Sequence, residues 1–138
     1  RMAAQHLQDM AALVVSGGHG AEEQTKESSI AAAHLAMARN EIAKNLGNTN
    51  LGLKWIAERQ RITPRHLQRL FAQEGTSFSD VLRQARVVRA RALLEDPRNR
   101  DRTILSIALE CGFPEASALN RAFRNRFGLT PSDVRWRK

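Results

Sequence analysis

The chain has 138 residues, enough for one core or two small ones, and its 42% apolar share excludes a disordered polymer. Its net charge of +8 is uneven: residues 1–51 hold four Lys/Arg against five Asp/Glu, and residues 52–138 hold 18 against nine. A polyanion is the natural partner of the basic part, although charge alone fits a solvated, Arg-rich surface equally well.

Residues 2–15 (MAAQHLQDMAALVV) place Ala3, Leu7, Met10, Ala11 and Val14 on one helical stripe. A lone helix of this length is marginal in water, so the stripe is expected to pack on something. Ser16–Lys26 (SGGHGAEEQTK), rich in Gly and charge, reads as a flexible linker. A start at Arg1 rather than Met is expected of a fragment of a longer protein, and no signal-peptide pattern is legible. From Ser28 to Leu46 runs a long helical pattern with Ile30, Ala33, His34, Met37, Ala38, Ile42 and Leu46 facing inward, ended by Gly47-Asn48-Thr49-Asn50. The four histidines (6, 19, 34, 66) are scattered, with no metal-ligand spacing and no cofactor motif.

Next, Leu53, Ile56 and Ala57 face inward on a short helix. Thr63-Pro64 is a strong helix start, and Leu67, Leu70 and Phe71 form an i, i+3, i+4 face behind it. Ser77 caps a linker helix to about Leu94, with an apolar stripe of Phe78, Val81, Leu82, Ala85, Val88 and Ala92. At 1.5 Å rise its 18 residues span roughly 27 Å, enough to fix the distance between its two ends. Asp96-Pro97-Arg98-Asn99 stops it.

The stretch 103–128 (TILSIALECGFPEASALNRAFRNRFG) then repeats the earlier unit. Thr103 caps a short apolar helix, Gly112 turns the chain, and Leu119, Ala122, Phe123 and Phe127 form the inner face of a second helix. Ile56-Ala57 matches Ile107-Ala108, and Leu67-Gln68-Arg69-Leu70-Phe71 matches Leu119-Asn120-Arg121-Ala122-Phe123. Arg61 falls where Gly112 falls, and the second copy has one extra residue before its second helix. Two short helices, a sharp turn and a donor-rich outer face read as helix-turn-helix. Cys111, the only cysteine, excludes an internal disulfide, fits a reducing cytoplasm, and is placed for packing. Thr130-Pro131-Ser132 starts a last short helix whose Val134 and Trp136 can pack back. No apolar run of about 18 residues is present to span a membrane.

The phrases TPRHLQRLFAQEGTSFSDVLRQARVVRARALL and IALECGF…LNRAFRNRFGLTPSDVR, in this order, resemble the DNA-binding domain of the AraC/XylS family of transcriptional regulators. The resemblance covers about residues 29–136. It implies an all-α fold: two helix-turn-helix units, about 53–75 and 104–128, joined by a linker helix at about 77–94 and reading successive major grooves. The DNA-binding domain is then 28–138. Residues 1–27, an extra helix and linker, are expected as the remnant of an upstream sensing or dimerisation domain or its connection.

By position, the resemblance implies base contacts from Arg65, Gln68 and Arg69 in the first unit and from Ser117, Asn120 and Arg121 in the second. Thr63, His66, Gln73 and Arg124 are expected on the DNA backbone. Elementary chemistry agrees, since Arg suits guanine O6 and N7, and Gln or Asn suits adenine. Arg61 replaces the family's turn Gly, Pro114 and Glu115 its capping Ser and acidic residue, and Ala116 a hydrogen-bonding position. The second unit is therefore expected to start its helix differently and read fewer bases.

The expected function is sequence-specific binding of double-stranded DNA by a cytoplasmic transcription regulator, an activator by family habit. Further candidate partners are RNA polymerase and a second subunit, joined through the upstream domain or the 2–15 helix. No membrane partner is expected. The alternative is a non-specific or architectural binder that only grips phosphates. No nucleophile, base and orienter come together in the sequence, so enzymatic activity is not expected.

Overall fold

The computed structural model describes residues 19–48 and 50–136, and these residues are helix and turn throughout. The expected 2–15 helix lies outside them. The chain divides into two compact units at Met37/Ala38. In the first, described residues up to Met37 belong to helix α1, His19–Lys44, which continues into the second.

The start of α1 corrects the sequence reading, because residues 19–26 are helical rather than a flexible linker. Ala21, Glu22, Glu23, Gln24 and Lys26 are good helix formers, and only Gly20 opposes them strongly. An acidic residue in the first turn also suits the helix dipole. The expected inner stripe holds for Ala38, Ile42 and Leu46, which are buried, whereas Ile30, Ala33 and Met37 are exposed and His34 is half-buried. An apolar stripe is buried only where another element covers it.

Among the described residues, the second unit contains six further α-helices. Helix α2, Leu53–Arg59, and α3, Pro64–Gln73, pack together as the first helix-turn-helix. Ile56, Ala57, Leu67 and Phe71 are fully enclosed in it. Around this core, Arg39 pairs with Glu74 at 2.6 Å and Arg59 pairs with Glu41 while lying over the Trp55 ring. Helix α4, Phe78–Glu95, follows, capped by Ser77, whose hydroxyl oxygen accepts from the Asp80 N–H at 3.1 Å. A 3-10 turn, Pro97–Asn99, leads to α5, Ile104–Glu110, and α6, Ala116–Phe127, the second helix-turn-helix. Helix α7, Pro131–Trp136, closes the chain against α4 and α6. Its cap is reciprocal: the Thr130 hydroxyl oxygen accepts from the Asp133 N–H, and the Asp133 carboxylate accepts from the Thr130 N–H. Val134 is buried as expected, while the Trp136 side chain lies outside the described residues.

The linker helix α4 departs from the expected face. Val88 and Ala92 are exposed, and the buried residues are Val87, Ala90 and Leu94. The reason is that α4 serves two cores. Near its start, Phe78 meets Phe71 of the first unit edge to face, with ring centroids 6.3 Å apart. Further along, Val87, Ala90 and Leu94 join Ile107, Leu119 and Phe123 in the second core. One stripe cannot face both, so the buried face rotates by about one residue, roughly 100°.

Candidate nucleic-acid interface

The two helix-turn-helix units close with the same backbone hydrogen bonds, 51 residues apart. In the first, the N–H of Arg61 bonds the carbonyl of Glu58 and that of Ile62 bonds Ala57, at 3.1 and 3.0 Å. In the second, Gly112 bonds Leu109 and Phe113 bonds Ala108, at 3.1 and 2.9 Å. Each turn holds one residue at positive φ, 59° at Arg61 and 94° at Gly112. The turns differ in what surrounds them. A Cβ on Gly112 would lie 2.3 Å from the Leu46 carbonyl oxygen, so only glycine fits there. Arg61 is exposed, and its side chain is tolerated at the cost of a strained backbone.

The turn of the first unit delivers the chain to Thr63, whose hydroxyl oxygen accepts from the His66 N–H at 3.0 Å and caps α3. The hydroxyl proton of Thr63 stays available to an outside acceptor. Leu67, Leu70 and Phe71 then bury the inner face. Helical geometry consequently places Arg65, Gln68, Arg69 and Gln73 on the outer face, where all four are exposed, with His66 half-buried at its edge.

Helix α6 starts differently, as the sequence leads one to expect. Glu115 stands at its cap position without accepting from a helix N–H, and its carboxylate instead accepts a hydrogen bond from the Ser117 hydroxyl. Ser117 therefore presents lone pairs rather than a donor to anything outside. Leu119, Ala122 and Phe123 face the core. Ser117, Asn120, Arg121 and Arg124 fall at i, i+3, i+4 and i+7 on one exposed face. Gly128, in the left-handed conformation at φ 72°, ends the helix.

Ion pairing sets the arginines of the two outer faces apart from most of those around them. Arg39, Arg59, Arg83, Arg89, Arg91, Arg98 and Arg102 each lie within salt-bridge distance of a carboxylate. Among the described residues, Arg65, Arg69, Arg121 and Arg124 on the two outer faces do not. Arg126, on the flank of α6, is turned to Gln84 and over the Phe127 ring. Cys111 is buried in the second core, and burial pushes its thiol up to about 11. No group of three or more His, Cys, Asp or Glu that could hold a metal occurs among the described residues.

Residues 56–137 match the family model described as a helix-turn-helix domain. The transcriptional activator RhrA of Rhizobium meliloti is 37% identical over 101 residues, which make up 73% of this chain and 32% of RhrA. Among solved structures, an AraC-type DNA-binding regulator from Chromobacterium violaceum superposes with a TM-score of 0.69 at 30% identity, covering 78% of this chain and 93% of that one. This chain belongs to the AraC/XylS family. A further solved structure, the DNA-binding domain of the global transcriptional factor AdpA in complex with a target DNA, has a TM-score of 0.58 at 25% identity, covering 76% of this chain and 88% of that one. The AraC-type DNA-binding domain accounts for both helix-turn-helix units and the linker helix described above. The chain spans about a third or less of the length of the curated relatives it matches.

Sequence reasoning did not single out Arg86 of α4. It is half-buried, its Nε lies against Gly112, and that nitrogen has no hydrogen-bond partner. Arg83, Arg86, Arg89 and Arg91 all lie on α4, and only the fold separates Arg86 from the paired ones.

Proposed function

We propose that this chain is the DNA-reading part of a transcription regulator whose two outer helix faces enter successive major-groove segments. Arg65, Gln68 and Arg69 of α3, and Asn120 and Arg121 of α6, read base edges. Thr63, His66, Gln73 and Arg124 grip the backbone. Ser117, its proton engaged by Glu115, contributes an acceptor at most. The observation that carries the reading is the pairing pattern: the arginines of the two outer faces are exposed and, among the described residues, free of ion pairs, ready for an anion without first losing a partner.

Regulation of transcription, with activation by contact to RNA polymerase, belongs to the whole protein, as does self-association through residues 2–15 or an upstream domain. Residues 1–27 serve as the connection to that domain. The place of action is the cytoplasm, which suits a reduced Cys111. Binding rather than catalysis is the chain's role, consistent with a buried thiol held neutral. No described helix is long and apolar enough to cross a membrane.

Titrations of Arg69→Ala and Gln68→Ala over a series of base-substituted duplexes test the assignment. Each variant loses about 1–3 kcal/mol against the preferred base at one position and little against the others. Arg124→Ala weakens every duplex alike and reduces the salt slope by about one. Equal losses on all duplexes for Arg69→Ala would make it a phosphate contact.

A further inference from the structure

A cleft of about 510 Å³ opens between α4 and α6. Leu82 and Phe113 contribute its apolar lining, and Arg83, Arg86, Arg121 and Asn125 its polar groups. Ala118 and Ala122, small residues on the α6 side, leave the space open, and no carboxylate lines it. Three guanidiniums and an amide therefore share one concavity with no acid in its wall.

Arg86 sets this cleft apart from an ordinary basic surface. Among the described residues its guanidinium has no ion pair, its Nε is buried without a partner, and its own burial lowers its pKa. A cation taken partly out of water without a counter-anion is costly, and an anion in the cleft would offset that cost. Arg83 stands three residues before it on the same helix, held only by an exposed pair to Asp80 at 3.0 Å. Such a pair is readily exchanged for a stronger acceptor. Arg121 belongs both to this wall and to the outer face of α6, so the cleft opens beside the proposed base-reading surface.

We propose that the cleft seats one phosphodiester of the DNA backbone flanking the second half-site, gripped by Arg83 and Arg86 beside Arg121. This rests on the reading of α6 as a major-groove helix. It makes the linker helix a contact surface in addition to a spacer, and it assigns Arg83 and Arg86 a phosphate role that carries no base information.

The test uses the whole chain and a duplex recovered by selection from a random-sequence pool. Arg86→Met keeps the packed stem and removes the charge. It is expected to weaken binding about tenfold on all base-substituted duplexes alike and to reduce the salt slope by about one. Replacing single phosphates by neutral methylphosphonates should reveal one position where wild type weakens by a similar factor and Arg86→Met does not. If Arg86→Met fails to fold, Arg83→Gln, an exposed change, should show the same insensitivity at the same phosphate. A folded variant with unchanged slope, or no methylphosphonate position that distinguishes it from wild type, overturns the proposal. So does inorganic phosphate seated in the cleft, followed by NMR, that duplex DNA fails to displace. If selection yields no preferred duplex, base reading by the chain fails separately, because the salt slope on a random-sequence duplex still reads the Arg86 contact.

Discussion

At the scale of single residues, the two turns place opposite demands on equivalent positions. Arg61 holds φ at 59° with its side chain exposed, so glycine there relieves strain at the cost of a more flexible unfolded chain. Arg61→Gly is expected to stabilise the chain by up to about 1 kcal/mol in a denaturant titration. Gly112→Ala is expected to destabilise it by about 2 kcal/mol or more, because its methyl would meet the Leu46 carbonyl at 2.3 Å. Equal effects at the two sites would contradict this account of the turns. Cys111 gives a pH dependence of definite sign. Burial raises its thiol from 9.0 to about 11, so the folded state keeps a proton that the unfolded chain releases first. The associated stability is complete below about pH 9 and is lost as pH rises toward 11. Thermal melts should show that loss in wild type and a shallower one in Cys111→Ala, and identical alkaline slopes would contradict the assignment.

At the scale of elements, helix starts carry much of the fold's definition. Thr63 and Thr103 each accept from the N–H three residues on, so Thr63→Ala and Thr103→Ala should each cost about 1 kcal/mol in chemical denaturation. Helix α6 lacks such a bond, and Glu115→Ser should stabilise it by a similar amount. No change in that variant would mean that the start of α6 is already satisfied by solvent. These starts were legible in the sequence because capping is local, a hydroxyl followed by proline or by an apolar run. The inner faces of α3 and α6 were legible for the same reason, since Leu67, Leu70 and Phe71 and their later counterparts obey one helical period. The face of α4 was not. Val87 and Val88 are adjacent apolar residues, and which one is buried depends on two cores lying on different sides of the helix. The helical start at His19 was hidden by glycines at 17, 18 and 20, which outweighed the good helix formers behind them. The enclosure of Arg86 needed the approach of Gly112 and α6, a tertiary arrangement that no local spacing encodes.

At the scale of the whole DNA-binding unit, charge and architecture point the same way. Two small cores hang on α4, and ion pairs tie most framework arginines to carboxylates, whereas among the described residues those on the outer faces of α3 and α6 are unpaired. If both faces read bases, the site must contain two sensitive segments about one helical turn apart, roughly 34 Å or 10 base pairs between centres. Phosphate gripping alone predicts no such pattern. The decisive measurement is the affinity of the chain at fixed salt for a selected duplex, for duplexes scrambled in either segment, and for one scrambled throughout. Specific reading predicts at least about a thousandfold preference for the selected duplex over the scrambled one, with each half-scramble losing part of it. Equal affinity for all four, falling with salt along a common slope, would contradict base reading and leave a binder of DNA backbone only.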